Sequence, residues 1–451
     1  MNKIAKYYLF ILILFTTVTS ATAQQVGSNS PYGRYGLGIL SNQSIGASEA
    51  MGGITYGVRR SQQVNPGNPA SYSELDTLTF IFDFGISGHY AEFSDGANKE
   101  YKMNGNLDYV AMQFPIINKI GASVGLLPYS KVGYSFGQTK SLSNIVYDEI
   151  FRGDGGLSQI YGGIAYEPFK YLSIGANINY IFGSYKYSNV SAPKTVSTST
   201  IAEERKSFSI RDLKYDLGLQ LTYPISGKEK QLTLGVVYTP QVDIKSDVYV
   251  TQMMYTSDPY SNPYQAPSEV IRDDTLSSQK FQLPHSLGVG LTYSNKNVLV
   301  GLDGTYQKWK GVQYPNELDG MDNVLGGSRF NDVFRVNGGA EYVIDPYSRN
   351  FFHRIRFRGG LSYANSYNNV SVYSADNSSF AGVGGFKEYG VSVGLGLPMI
   401  DNIRRRLSML NVTFTYTLLN PEMKHMIKQD VFEIAVNMNV NENWFFKNLF
   451  N

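Results

Sequence analysis

The residue types that most often perform catalysis are sparse in this sequence of 451 residues. Cysteine is absent, which excludes disulfides, thiolate metal sites and cysteine nucleophiles. No two of the four histidines have the spacing of metal ligands, and no phosphate-binding loop is present; these histidines are His89, His285, His353 and His425. Serine–histidine catalysis also needs an orienting group and an oxyanion site, and spacing identifies neither. We therefore expect no enzyme, no metal and no cofactor.

A set of charged residues is more informative, because several of them recur at every second position. In a β-strand such residues point to one face, and parity places the whole set together: Asp303, Arg335, Glu341, Arg354, Arg356 and Arg358. The arginines could hold a carboxylate head group by bidentate contacts, and Arg335 and Arg356 are the candidate ligand-binding residues. The alternative is that they anchor another part of the chain through Glu49, Glu74 or Asp76.

The composition limits the class of protein that positions these groups. A net charge of +2 gives no basic footprint, so we expect no nucleic-acid partner. Aromatic residues reach 14% and charged residues only 17%, unlike helical soluble enzymes, which carry about 25% charged residues. A mean hydropathy of -0.22 is ordinary for a soluble protein. It does not exclude a transmembrane β-barrel, which hides its apolar surface in alternation.

The N-terminus predicts export. Lys3 and Lys6 precede an apolar core over residues 7–18, and an Ala-x-Ala ending leads to cleavage after Ala23. Residues 1–23 are therefore assigned as a signal peptide. An uncleaved anchor is the alternative, but the apolar run is shorter than the ~20 residues of a spanning helix.

From residue 77 onward the chain alternates between apolar and polar residues, which is typical of strands with one apolar face. In one segment Val412, Phe414 and Tyr416 alternate with Thr413 and Thr415. About fourteen such segments can be counted, an even number in the range of single-chain outer-membrane barrels. They start near Leu78, Leu107, Ala122, Ser158, Leu172, Phe208, Leu232, Leu283, Val298, Val333, Ile355, Tyr389, Leu407 and Val431.

Short and long connections alternate between these segments, as they do in outer-membrane barrels. The short ones include 118–119, 168–170 and 294–297, and the polar run Arg404–Arg406 is also assigned to a periplasmic turn. The predicted long loops are 188–206, 247–279, 311–331 and 367–385. We predict an all-β transmembrane antiparallel barrel over residues 77–451, with its apolar face toward lipid and Trp444–Phe446 in an interfacial belt. A soluble barrel with an apolar interior is the alternative.

Residues 24–76 lack strand alternation and are rich in Gly, Pro and Tyr. Disordered tails are poor in aromatic residues, and a barrel of ~14 strands is too wide for its own side chains to fill. We therefore predict a plug inside the lumen. Tyr32, Tyr35 and Leu37 are candidate ligand-lining residues of this plug, and the alternative is that they form its packed core.

Several short motifs occur in a recognisable order along this frame. They are Ala50–Gly53, Asn68-Pro69-Ala70, Gly125–Tyr129, Gln307-Lys308-Trp309, Gly338–Tyr342 and Arg358–Tyr363. In this order the sequence resembles the FadL/TodX-like family of outer-membrane transporters for fatty acids and aromatic hydrocarbons. The resemblance implies an N-terminal hatch whose Asn68, Pro69 and Ala70 lie near the periplasmic end, and a kinked third barrel strand that opens sideways into the bilayer. The resemblance also includes proteins with the same barrel that act in protein secretion and outer-membrane assembly complexes.

The third predicted strand gives physical support for a lateral opening. Pro128 cannot donate a ladder hydrogen bond, and proline in sheets is confined to edges, strand starts and bulges. Gly125, Pro128 and Tyr129 are the residues predicted to border the opening. The alternative is that the strand ends at Leu127 with a bulge.

The sequence thus predicts an outer-membrane channel that takes up small hydrophobic, fatty-acid-like molecules, with outer-membrane lipid and that ligand as partners. The alternative is a non-transporting scaffold in a secretion or assembly complex, which docks outer-membrane or surface proteins through its long loops. In the loop 247–279, Tyr249, Tyr255, Tyr260 and Tyr264 suit protein contacts or clamp the loop onto the barrel rim. A general porin is disfavoured by the plug.

Overall fold

The computed structural model describes residues 29–75, 79–142, 145–194, 200–226, 230–260, 265–315, 329–373, 380–401 and 406–443. The strands are β1 (Ile39–Leu40), β2 (Thr79–Ser94), β3 (Lys99–Ile117), β4 (Ile120–Leu142), β5 (Ile145–Phe169), β6 (Leu172–Pro193), β7 (Ile201–Ser226), β8 (Lys230–Thr239), β9 (Val242–Tyr255), β10 (Glu269–Leu283), β11 (His285–Ser294), β12 (Val298–Lys308), β13 (Val333–Val343), β14 (Arg356–Asn365), β15 (Val370–Tyr373), β16 (Phe380–Gly384), β17 (Phe386–Asp401), β18 (Arg406–Pro421) and β19 (Lys428–Asn443). The predicted signal peptide and Trp444–Phe446 lie outside the described residues.

The strands close into a ring, because β19 pairs with β2 along its whole length. Two strands of the ring are interrupted. Pro240 separates β8 from β9 and Pro284 separates β10 from β11, yet β8 still pairs with β11 and β9 with β10. Proline has no N–H for the ladder, so the wall can bend at these two neighbouring points. Counted in this way the barrel has fourteen antiparallel strands, and the predicted fold is confirmed.

The apolar side chains point outward. On β7, Leu217 is 52% exposed while Gln220 is fully buried inside the ring, and the same division recurs on β18 between Phe414 and Thr413. A soluble barrel would show the reverse. The soluble alternative is therefore wrong, and the outer surface is the one that meets lipid.

Exposed aromatic side chains form two bands around the barrel, as at both interfaces of outer-membrane proteins. The inner girdle lies at the end with the short turns and contains Phe169, Tyr171, Tyr223, Tyr342, Tyr347 and Phe352. The outer girdle contains Tyr90, Tyr180, Tyr215, Tyr238, Phe334, Tyr389 and Phe432. The two girdles mark the position of the membrane on the barrel. Among the described residues, no helix is long and apolar enough to cross it.

The barrel wall has unequal height. Strands β11–β14 have 10 or 11 residues, close to the ~9–11 that span a bilayer, whereas β4–β7 have 22 to 26. Together with β9 and β10, the outer halves of β4–β7 form what we call the projecting sheet. On β6 it extends beyond Tyr180 by roughly 40 Å along the strand.

The projecting sheet corrects the sequence prediction at two of the long loops. Most of 188–206 and of 247–279 is strand, formed by the ends of β6 and β7 and by the β9–β10 hairpin. Beyond the membrane neither face of these strands needs an apolar surface, so hydrophobic alternation no longer marks them. In the other two predicted loops, residues 316–328 and 374–379 lie outside the described residues, and β15 pairs with β16.

Candidate functional site

The described N-terminal segment, residues 29–75, lies within the ring of strands. It is built of three short 3-10 helices, Pro31–Arg34, Gly46–Met51 and Pro69–Glu74, and of the two-residue strand β1. Its helices contact strands on opposite sides of the ring, from β3–β7 to β13–β19. Most of its side chains are buried.

The segment rests on glycines of the inner wall. A Cβ atom added to Gly121 would lie 2.0 Å from the carbonyl oxygen of Tyr72, and one added to Gly360 would lie 2.0 Å from the Gly52 nitrogen. Equivalent contacts occur on further strands, and the whole set, which we call the glycine seat, is Gly121, Gly175, Gly218, Gly235, Gly339, Gly360 and Gly394. All seven occupy strand positions that face the interior of the barrel. The seat was not predicted from the sequence, although glycine at these inward-facing positions was the signal for it.

The Asn68-Pro69-Ala70 element begins the third 3-10 helix. Asn68 caps it by accepting a hydrogen bond from the Ala70 nitrogen at 3.1 Å, and it donates to the carbonyl oxygens of Tyr56 and Leu219. Pro69 occupies the first helical position, where its missing N–H is no loss. The Asn68 side chain thus joins two turns of the segment to β7.

Two consecutive arginines of the segment reach nearly opposite walls. Arg59 contacts Glu74 and Glu167 at 2.8 Å each, and Arg60 contacts Glu341 at 2.7 Å. Glu167 is at the inner end of β5 and Glu341 at that of β13. The sequence analysis did not identify this pair, because nothing in an Arg-Arg step indicates its partners.

Glu341 is the centre of the inward-facing charge cluster. It accepts from Arg356 at 2.5 Å and from Arg358 at 2.7 Å, besides Arg60. Parity correctly placed these residues on one inner face. The alternative that these arginines anchor the segment is realised in the opposite sense, because β13 supplies the carboxylate and the segment supplies a cation. Glu74 instead accepts from Arg59, and Glu49 accepts from Asn437. Asp76 lies outside the described residues.

Two further charged residues at inward parity are also paired. Arg335 contacts Glu388 of β17 at 3.1 Å. Asp303 accepts from the backbone nitrogens of Thr55 and Tyr56 at 2.5 and 2.9 Å, which fixes another turn of the segment to β12. Arg335 borders both cavities described below, whereas Arg356 is held by Glu341.

The outer end of the interior is a packed aromatic core. Tyrosine hydroxyls from β6, from the β12–β13 connection and from the residues after β14 bind backbone oxygens of Gly36–Gly38: Tyr185, Tyr187, Tyr314 and Tyr367. Phe208, Phe281, Trp309 and Phe330 complete this core. Trp309, a member of one sequence motif, is only 1% exposed.

The three candidate ligand-lining residues of the segment pack into apolar cores. Leu37 belongs to the aromatic core. The Tyr32 ring packs against Phe386 with 4.7 Å between the ring centres, and its hydroxyl donates to the carbonyl oxygen of Ile427. Tyr35 packs against the same cluster as Tyr32. These positions correspond to the packed-core alternative considered for them.

Two cavities flank residues 39–53 of the segment. The first, of about 310 Å³, has Leu40, Ile45, Leu127 and Pro128 on its wall, together with charged groups that include Glu49. Burial raises the pKa of Glu49 well above its usual range, and the nearby carboxylates of Glu433, Asp108 and Asp83 act in the same direction. The second cavity, of about 210 Å³, is lined mainly by amides, hydroxyls and the Lys214–Asp216 pair.

The wall beside the first cavity contains a discontinuity. β3 pairs with β4 only from Val110↔Leu126 to Ile117↔Ile120, although both strands continue outward. We call the boundary between Lys99–Tyr109 of β3 and Leu127–Leu142 of β4 the seam.

The three residues predicted to border a lateral opening lie at or near the start of the seam. Gly125 is still paired with Ala111, Pro128 stands two positions beyond the last pair, and Tyr129 occupies a bulge opposite β5. Pro128 lines the first cavity and Tyr129 the second. The strand continues past Leu127 to Leu142, so the predicted strand end is not present, whereas the bulge is.

Within the described ranges, no group of three His, Asp or Glu side chains is placed to hold a metal ion.

The fold and the two aromatic girdles show that this protein is an outer-membrane β-barrel with a FadL-like architecture. A family model named BamG matches residues 4–451, and the chain belongs to the BamG family. No curated protein sequence matches it significantly.

Several solved structures share the fold at low sequence identity. A Pseudomonas aeruginosa FadL homologue superposes with a TM-score of 0.55 at 10% identity, covering 90% of this chain and 100% of that one. The Pseudomonas putida toluene transporter TodX gives 0.54 at 15% identity, with coverages of 90% and 100%. The CymD monoaromatic hydrocarbon channel gives 0.53 at 14% identity, with 91% and 99%. By name, CymD is a channel and TodX is a transporter.

Proposed function

We propose that this protein is a non-transporting barrel scaffold in an outer-membrane protein secretion or assembly complex, and that it docks its partners outside the membrane. The observation that carries the proposal is the aromatic core at the outer end of the interior. An uptake channel needs an open path from the outside, whereas here Trp309 and Phe330 pack against Tyr367 over the backbone of Gly36–Gly38. Opening this end requires the loss of buried aromatic contacts.

The comparisons support both candidate functions. The match to the BamG family covers nearly the whole chain at the level of sequence. The likeness to hydrocarbon channels is a likeness of fold at 10–15% identity, and one fold supports several functions. The BamG match supports a role in an assembly complex, whereas the shared fold by itself does not distinguish that role from uptake.

The projecting sheet is suited to docking. It is a paired, rigid sheet outside the membrane, and rigid surfaces lose little conformational entropy on binding. Val270 and Ile271 of β10 are each more than half exposed, and Tyr249 of β9 is also exposed. These side chains lie far beyond the outer girdle and hence face water. Tyr260 instead clamps its connection to the sheet, since its hydroxyl donates to Glu203 at 2.6 Å.

Affinity purification from native outer membranes in mild detergent tests the proposal. We expect stoichiometric outer-membrane or surface protein partners. Val270→Asp with Ile271→Asp should reduce the bound partner at least tenfold, because charges replace an apolar contact surface. Ala97→Asp, in the exposed connection between β2 and β3 and outside the projecting sheet, should leave it unchanged. A monomer without partners, or equal recovery with both variants, would contradict docking through this sheet.

Uptake of small hydrophobic molecules is the second candidate function, favoured by the first cavity and the seam beside it. Moving a ten-carbon chain into water costs ~8 kcal/mol, so a carrier of such cargo benefits from an exit into lipid. Mass spectrometry of a lipid extract from the purified protein distinguishes the two functions. A stoichiometric fatty-acid-like ligand, lost in a Leu127→Asp variant but retained in Leu217→Ala, would favour uptake.

A further inference from the structure

One strand of the barrel has an edge that the ring does not use. β3 pairs with β2 along residues Lys99–Gln113, but its ladder to β4 begins only at Val110. The β4-facing side of Lys99–Tyr109 is therefore a sheet edge in the described structure. We call it the open edge.

The opposite side of the seam is already occupied by this chain. β1 pairs with β4 in antiparallel register, Ile39 with Lys131 and Leu40 with Ser130. The next groups are also satisfied, because the Tyr129 carbonyl accepts from the Ser41 nitrogen at 2.9 Å and the Pro128 carbonyl accepts from Gln43 at 3.2 Å. Beyond Leu127, β4 thus takes a strand of the N-terminal segment in place of β3.

The open edge reaches into the apolar layer. Met103 lies beside Tyr90 of the outer girdle, and Leu107 lies beside Ile86, further inward. Backbone groups without partners in hydrocarbon cost several kcal/mol each, and exposed edges invite pairing with another chain. Met103 is 80% exposed, so the side chain beside this edge is also uncovered.

The side chains of the open edge keep the alternation of a barrel strand. Tyr101, Met103 and Leu107 are exposed on the outer side, while Lys102 and Asn106 border the first cavity. A strand that pairs here meets apolar neighbours on its lipid side and polar neighbours on its inner side. That is the alternation of a membrane-spanning β-strand.

We propose that the open edge binds an extended β-strand of a partner outer-membrane protein, whose residues alternate apolar and polar, by strand addition to β3. This inference rests on the proposed docking function and names the chemistry of one partner. The β1–β4 pairing shows the same mode of edge satisfaction within this chain, on the other side of the seam. A second copy of this chain and membrane lipid are the other occupants, and the test separates them.

The exposure of these positions allows site-specific photocrosslinking. A benzoylphenylalanine probe replaces Tyr101, Met103 or Leu107 in turn, and crosslinking is done in native outer membranes, where complexes are intact. Strand addition predicts adducts to one partner protein. The crosslinked site should move by two residues in the partner for every two residues along β3, as a ladder register requires.

Val391 of β17 and Phe414 of β18 supply the matched controls, because they are lipid-exposed on strands paired on both sides. Probes there should give at least fivefold less protein adduct. Heat-dependent gel migration checks that every variant is folded.

Three outcomes would overturn the strand-addition inference: adducts to lipid alone, adducts to a second copy of this chain, or protein adducts without a two-residue register. The proposed docking function is judged separately. If partners still co-purify through the projecting sheet while the β3 probes label only lipid, the strand-addition inference fails and the docking function stands. If no partner co-purifies and no probe gives a protein adduct, both fail.

Discussion

Single residues determine how the interior is filled. At the glycine seat, the absence of a side chain lets the N-terminal segment lie against the wall, and at Glu341 a single carboxylate holds three arginines, two from β14 and one from the N-terminal segment. Both arrangements tolerate little change. Overpacking costs about 1–3 kcal/mol, and removing one partner of a buried ion pair costs about 3–5 kcal/mol.

The glycine seat is tested by adding a single methyl group. Gly121→Ala should lower the thermal midpoint of barrel unfolding and raise protease cleavage within residues 29–75, because the Cβ would overlap the Tyr72 carbonyl. Gly162→Ala on β5 is the control, since no atom lies within 4 Å of its Cβ. Heat-dependent gel migration and limited proteolysis report the two effects. Identical behaviour of both variants would disprove the seat.

The charge cluster is tested by neutralising its centre. Glu341→Gln should destabilise the barrel by about 3–5 kcal/mol, since it leaves buried arginines without a carboxylate. Glu388→Gln should cost at most about 1 kcal/mol, because the ion pair of Glu388 with Arg335 is more exposed than the Glu341 cluster. Unfolding in guanidinium measures both. If both variants lost the same free energy of unfolding, burial would not explain the stability that the Glu341 cluster contributes.

At the scale of elements, the sequence predicted strands well wherever one face meets lipid. Eleven of the fourteen predicted starts lie within four residues of an observed strand start for that reason. The segments predicted to start near Leu107, Ser158 and Phe208 begin earlier, at Lys99, Ile145 and Ile201, because the outer parts of these strands lie beyond the membrane. The projecting sheet, the seam and the aromatic core depend on which strands stop pairing and on long-range contacts. Pro128 indicated that the wall changes there, but only the register shows that β1 replaces β3 beside β4.

The connections that cover the outer end form an element with its own test. Trp309→Ala combined with Phe330→Ala should raise single-channel conductance in planar bilayers, because the substitutions remove two rings from the aromatic core. Phe334→Ala on the lipid-facing side is the control and should leave the conductance low. If the double variant stays closed, the N-terminal segment alone suffices to seal the interior.

For the whole molecule, the barrel and its N-terminal segment behave as one body held together by ion pairs, capped turns and backbone contacts on many strands. The interior therefore contributes stability, whereas the surface outside the membrane is free for contacts. This division explains why the fold resembles hydrocarbon channels while the proposed function does not depend on transport.

Removing the segment tests this division. A protein lacking residues 24–76 should show a large, stable conductance in planar bilayers, since a ring of fourteen strands is wider than its own side chains can fill. It should still bind the partner that contacts Val270 and Ile271. A deletion protein that inserts as a folded barrel but stays closed would argue against a sealing role for the segment.

The glycine seat also has a consequence for the history of the family. Seven wall positions carry no side chain because the segment occupies that space, so the segment and the wall are constrained to evolve as a pair. A bulkier residue acquired on either side demands a compensating change on the other. Aligned relatives should therefore record covariation between these strand positions and the residues they face, and chimaeras that exchange segments between distant relatives should fold poorly.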